Sequence, residues 1–220
     1  NLPQAFLLTA LSWLSIATFG SLPLIFSTTE LSFTDAFFES MSGITTTGST
    51  IITNLDETSK AILLWRGMLQ WFGGIGIIVM AITLMPLMNI GGMQLFNISS
   101  NDNTEKIFPK TKEVSLRLLI IYSLLTLVCA FFYFIFGMSI FDSIVHAMTT
   151  IATGGFSNYN DSIGYFNNSL IEINSIIFII LGSIPFISYI KYLGGDKRIF
   201  FRDSQIKTFV ILVIVSILIM

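Results

Sequence analysis

Ser32-Phe33-Thr34-Asp35 runs on to Ile44-Thr45-Thr46-Thr47-Gly48, and further along the chain Ser139-Ile140-Phe141-Asp142 runs on to Ile151-Ala152-Thr153-Gly154-Gly155. Laid over one another without a gap, the stretches pair Ser32 with Ser139, Asp35 with Asp142, Met41 with Met148, Ile44 with Ile151, Thr46 with Thr153 and Gly48 with Gly155. Average composition gives about one such match by chance over so short a window. Each copy is a half-length apolar stretch that ends in Thr and Gly, with a long apolar stretch on either side. A segment of that kind reads as a re-entrant pore loop, which enters a bilayer and returns to the side it left. Two of them make ion conduction the leading expectation.

Composition names the solvent. The chain is 53% hydrophobic and 11% charged, where a soluble domain carries about 25% charged residues, and its mean hydropathy is +0.81. The expected class is therefore an all-α integral membrane protein. A span needs about 20 apolar residues. Ala5–Ser27, Ala61–Met88, Leu116–Phe136 and Leu170–Tyr192 qualify, and a fifth stretch from Thr208 is still apolar at Met220. The chain reads as a fragment of a longer protein. Its single cysteine, Cys129, lies inside an apolar stretch, so no disulfide or thiolate metal site is expected. No cleavable signal pattern opens the sequence.

Charge sets the sidedness. With both half-length segments returning to the side they left, the basic residues gather in two loops. The first holds Lys106, Lys110, Lys112 and Arg117, the second Lys191, Lys197, Arg198, Arg202 and Lys207, leaving only Lys60 and Arg66 opposite. The opposite side carries Glu30, Asp35, Glu39, Asp56, Glu57, Asp142, Asp161 and Glu172. The positive-inside rule places the basic loops in the cytoplasm and both re-entrant segments at the outer face, where acids concentrate cations at a pore mouth. As spans, Asp35–Gly48 and Asp142–Gly155 are about half the length required. The expected organisation is a first span–loop–span repeat over 1–88, a cytoplasmic linker over 89–115 and a second repeat over 116–192. A second linker over 193–207 and the start of a third repeat over 208–220 complete it.

The approach to each loop reads as a short helix, Ala36–Gly43 and Ser143–Thr150, with Asp35 and Asp142 capping it or sitting in its first turn. Such a helix aims its partly negative C-terminal end at the bilayer centre and favours a cation there. Thr45, Thr46, Thr47 and Gly48 follow in one copy, and Ala152, Thr153, Gly154 and Gly155 in the other. Non-helical backbone at membrane depth is tolerated where it lines a water-filled path, and carbonyls there replace an ion's hydration shell. Glycine supplies positive φ and removes a side chain from the narrowest point. These eight residues are the expected ion-binding selectivity filter.

Beyond these loops the chain carries Leu64-Trp65-Arg66, Gln70-Trp71-Phe72-Gly73-Gly74-Ile75-Gly76, Gly91-Gly92-Met93-Gln94-Leu95 and Ala152-Thr153-Gly154-Gly155-Phe156-Ser157. With Phe33–Gly48, they resemble the Trk/Ktr/HKT superfamily of potassium transporters, specifically its bacterial TrkH-type subunit, over nearly the whole length. The resemblance implies potassium uptake across the cytoplasmic membrane through one pathway surrounded by four repeats. Two of these, and the start of a third, are present here. One filter glycine per repeat is implied, and Gly48 and Gly155 match the first two. Glycine at the first position goes with potassium, serine with sodium. The resemblance further implies a homodimer in the full-length protein and a cytosolic nucleotide-binding regulatory subunit of the TrkA type. Potassium is the transported ion, with no organic cofactor and no nucleic acid. Thr153-Gly154-Gly155 departs from Thr-Thr-Gly, as second repeats of this family do.

Other residues weigh less. His146 in the second short helix is read as a packing histidine with a satisfied partner, or as a pH sensor. Arg66 is read either as functional within the membrane or as a snorkelling residue paired with an outer carboxylate. Gly73, Gly74 and Gly76 allow close helix packing and are no phosphate loop. Pro86 and Pro185 end or kink their helices. No catalytic triad or metal cluster can be assembled, so an enzyme is not expected. The alternative from another class is a broken-helix secondary carrier of a small anionic or zwitterionic solute, which needs helix N-termini at the midplane.

Overall fold

The computed structural model describes residues 2–88 and 107–219, and every regular element among them is helical. The helices are α1 (Leu2–Ile25), α2 (Phe33–Ile44), α3 (Lys60–Met88), α4 (Ile107–Ile135), α5 (Ile140–Ile151), α6 (Ser169–Ser183), α7 (Phe186–Leu193), α8 (Ile199–Arg202) and α9 (Ser204–Ile219). Gly91-Gly92 and the polar run over 97–104 lie outside the described residues. Three helices hold apolar stretches long enough to cross a bilayer, Phe6–Ile25, Lys60–Met80 and Glu113–Ile135. Their outer faces leave large apolar side chains uncovered, such as Leu8, Phe19, Leu127 and Phe131. Hydrocarbon imposes no penalty on such faces, because lipid tails are as apolar as leucine.

The fourth expected span is not one straight helix. Leu170–Tyr192 divides into α6 and α7, bent by 82° at Ile184-Pro185. Proline lacks the N–H that would continue the ladder, and its ring pushes the preceding residue into extended backbone. Ile184 has φ −69° and ψ 136° accordingly.

Two short helices sit among the long ones. α1 packs on α2, α4 packs on α5, and α3 lies against both α2 and α5. The position of α3 between them depends on small residues. A Cβ on Gly73 would collide with the backbone carbonyl of Ile44, the last residue of α2. Behind α5, a core of Tyr122, Cys129, Tyr133, Ile151, Ile171 and Phe178 joins α4 and α6 to it. The Tyr133 hydroxyl reaches Thr150 Oγ1 at 2.9 Å and Ser175 Oγ at 2.7 Å, so its one polar atom is satisfied in that core.

Candidate functional site

α2 and α5 begin alike. Ser32 is the N-cap of α2, and its Oγ accepts from the Asp35 N–H at 3.2 Å while donating to Asp35 Oδ2 at 2.7 Å. Ser139 and Asp142 repeat the pattern at 3.1 and 2.6 Å. The serines thus cap and the aspartates sit in the first turn, so both helices start earlier than Ala36 and Ser143. The negative side chain lies where the helix dipole is positive.

They also end alike. The Thr47 N–H donates to the Ser42 carbonyl at 2.9 Å and the Thr46 N–H to Gly43 at 3.0 Å. Gly154 to Thr149 and Thr153 to Thr150 duplicate these bonds at 2.9 and 3.0 Å. This is a Schellman closure, whose turning residue takes a left-handed conformation that glycine adopts most easily. Here that residue is threonine, Thr46 at φ +56° and Thr153 at φ +53°. A β-branched residue in that region is a true outlier, costing on the order of 1–3 kcal/mol. Gly48 and Gly155 follow at +81° and +79°. The loops are therefore non-helical without being extended. Each turns twice through positive φ.

Those turns leave carbonyls free. Among the described residues, no donor bonds the carbonyl oxygens of Thr45, Thr46, Thr47, Gly48, Ala152, Thr153, Gly154 or Gly155. A carbonyl without a protein donor is free to accept from water or to coordinate a cation. The two loops also meet: a Cβ on Gly48 would collide with the Gly154 carbonyl. One glycine is what permits that approach.

Behind the loops lies a charged brace. Arg66 on α3 is 1% exposed, and its Nε donates to Glu39 Oε1 on α2 at 2.7 Å. Its Nη2 donates to Thr50 Oγ1 at 3.1 Å and its Nη1 to the Ser157 carbonyl at 3.0 Å, while the guanidinium covers the Phe156 ring at 4.2 Å. Glu39 also accepts from the Ile51 N–H at 2.9 Å and from Thr50 Oγ1. Arg66 is paired with a carboxylate, as one expectation had it, but it does not snorkel. Glu39 and Asp142, counted above with the outer acids, are buried. Removing one member of a buried pair costs about 3–5 kcal/mol.

The second loop has its own inner partners. His146 is buried, with Nδ1 2.9 Å from the Asp142 carbonyl and Nε2 3.0 Å from Ser157 Oγ, so it is a packed and satisfied histidine. Asp142 accepts from Asn158 Nδ2 at 2.8 Å and from the Tyr159 hydroxyl at 3.1 Å. Burial, and then the charge of that carboxylate, push the Tyr159 phenol up to about 12. Gln70, one turn beyond Arg66, accepts from the Phe156 N–H at 3.1 Å. Exposed at the protein surface, Asn160 ties the loops again, accepting from the Leu55 N–H and donating to Asp56. Gln70, Asn158 and Asn160 are site residues that sequence reasoning did not single out as such. A polar amide in the middle of an apolar helix was the available signal for Gln70.

Long apolar helices interleaved with short, capped helices that end in free carbonyls define a multi-pass helical membrane protein. The chain belongs to the TrkH family of cation transport proteins, whose family model matches residues 1–220. It is 44% identical over 217 residues to the Trk system potassium uptake protein TrkI of Halomonas elongata, covering 98% of this chain and 44% of the relative. With the Trk system potassium uptake protein TrkH of Escherichia coli K12 the identity is 41% over 213 residues, 94% of this chain and 44% of the other. The crystal structure of the potassium transporter TrkH from Vibrio parahaemolyticus superposes with a TM-score of 0.86 at 37% identity, over 97% of this chain and 44% of that one. The chain thus spans under half the length of the relatives it matches.

Proposed function

We propose that this chain contributes part of a potassium-uptake pathway across a bacterial cytoplasmic membrane. Carbonyls of Thr45–Gly48 and Ala152–Gly155 take over the ion's hydration shell. The observation that carries this is the set of eight unpaired carbonyls at the C-terminal ends of α2 and α5, where the helix dipoles add negative potential. The potassium-uptake relatives support the choice of cargo. The repeats take the bounds 1–88 and 116–192, joined by cytoplasmic linkers, with 208–220 opening a third.

In the complete protein the assembly is a homodimer with a TrkA-type nucleotide-binding partner. The exposed Lys191, Lys197, Arg198, Arg202 and Lys207 around α7 to α9 offer that partner a basic surface. The bend between α6 and α7 is the one observation favouring a broken-helix carrier of anionic solutes. Against it, α2 and α5 present Asp35 and Asp142 at their N-terminal turns, which repel an anion.

The test is rubidium and potassium uptake by a bacterium lacking its own potassium uptake, carrying the complete coding sequence as wild type or Gly48→Ser. Growth rescue by the wild type, with discrimination against sodium relaxed in Gly48→Ser, is the expected result. Cation flux that ignores Gly48 overturns the filter assignment, and absence of flux overturns potassium transport itself.

A further inference from the structure

We infer that Arg66 is a positioning residue that makes the two ion-lining loops one mechanical unit, so that the register of the second loop is set from the first half of the chain. The inference rests on the proposal that these loops line the ion path. Three contacts carry it. The guanidinium spans the exits of both loops, touching Glu39 and Thr50 on one side and the Ser157 carbonyl on the other. The same guanidinium lies on Phe156, the residue directly after the Gly154-Gly155 pair. Gln70 on the next turn of α3 takes the Phe156 N–H. The backbone leaving the second loop is thus gripped by α3, which belongs to the first repeat, at its N–H, its ring and the following carbonyl. Its own helix α5 reaches only the residues beyond Phe156, through His146 to Ser157 Oγ and Asp142 to the side chains of Asn158 and Tyr159.

The second repeat has no such brace among the described residues. Gly182 of α6 packs against the Ile151 carbonyl as Gly73 of α3 packs against that of Ile44, which fixes a common register. In that register Ser175 stands where Arg66 stands and Ile179 where Gln70 stands. A cavity of ≈ 150 Å³, lined by His146, Thr149, Ser157, Ser175 and Ile179 among others, occupies the corresponding space. Charge compensation of Glu39 alone would need a cation beside α2. It would not need a planar fork reaching across to Ser157 and stacking on Phe156.

Arg66→Lys separates these roles, because a lysine keeps the charge for Glu39 but is a compact point donor that cannot bridge both loops and cover the ring. Arg66→Gln and the double variant Glu39→Gln/Arg66→Gln complete the set, the last removing both buried charges together. The readouts are hydrogen exchange of peptides covering residues 152–160 in the purified complete protein, and rubidium-over-sodium discrimination in cells. All three variants are expected to raise exchange in the second loop about tenfold and to lower discrimination at matched membrane abundance. Wild-type protection in Arg66→Lys or in the double variant overturns the inference and leaves Arg66 as a counter-charge only. Should Arg66→Gln fail to accumulate, Arg66→Lys and the double variant still decide it. Should the wild type carry no cation, the transport proposal falls, while exchange in the second loop still decides whether α3 holds it.

Discussion

Gly48→Ala asks for a methyl group where the backbone of the other loop already lies. The added Cβ falls well inside 3.0 Å of the Gly154 carbonyl oxygen and 3.1 Å from its carbon, on a backbone at φ +81°. Both obstacles are main-chain atoms, so no side chain can swing clear. An L side chain in left-handed backbone costs about 1–2 kcal/mol. The Gly154 carbonyl must also retreat by on the order of 1 Å to restore ordinary contact. With about half a charge on that oxygen, an effective dielectric of about 20 and a cation moved from roughly 3 to roughly 4 Å, the lost attraction is about 0.7 kcal/mol. That is about a threefold loss of affinity from one carbonyl. Rubidium uptake over a range of concentrations, at membrane abundance matched by immunoblot, should show KM raised at least about threefold. Gly137→Ala is the control: φ is +109° in the turn between α4 and α5, and a Cβ there meets nothing within 4 Å. It should cost stability and leave KM alone. Equal KM for Gly48→Ala and wild type refutes the link between the loop contact and affinity.

Thr46→Gly removes a strained threonine from the α2 closure, so the protein should gain about 1 kcal/mol in thermal unfolding; no gain would mean that the turn is not strained. Gly73→Ala forces α3 away from Ile44 and should cost about 1–3 kcal/mol, whereas Gly76→Ala, facing Trp13 at an ordinary 3.7 Å, should be close to neutral; the two melting temperatures test this directly. Asp142→Ala strands the buried amide of Asn158, at about 1–3 kcal/mol for a group left unpaired and buried, and also frees the half-buried Tyr159 hydroxyl; a melting temperature equal to wild type contradicts it. Because the folded state raises the Tyr159 phenol to about 12, its neutral form is the stabilised one. That contribution is complete below the ordinary tyrosine value near 10 and disappears as pH rises through about 12. Tyr159→Phe should therefore lose less stability than wild type across that interval, and parallel curves would contradict the assignment.

The half-length segments were legible because local chemistry makes them. Ser32-x-x-Asp35 and Ser139-x-x-Asp142 are N-terminal signals, and the small Thr and Gly residues at the far end mark where each helix stops. Distance along the chain hid the rest. Arg66 beside Trp65 suits either an interface or a buried site, and only tertiary contact with Glu39, far from it in sequence, decides between them. The threonines at positive φ were not legible at all, since glycine is the residue such turns favour. Pro185 marked a break, yet apolar residues on both sides of it hid the 82° bend from a length count.

A ring of identical subunits must repeat every residue around its axis. Whatever braces one loop there braces all of them, and every copy bears the same burial cost. Two such loops in one chain, each after its own short capped helix, escape that constraint. Arg66 and Ser175 stand at matching positions, one a buried guanidinium and the other a small hydroxyl beside a cavity. Within a single polypeptide one turn can thus be braced by a charge and the other left beside a cavity, while both keep the same Schellman closure.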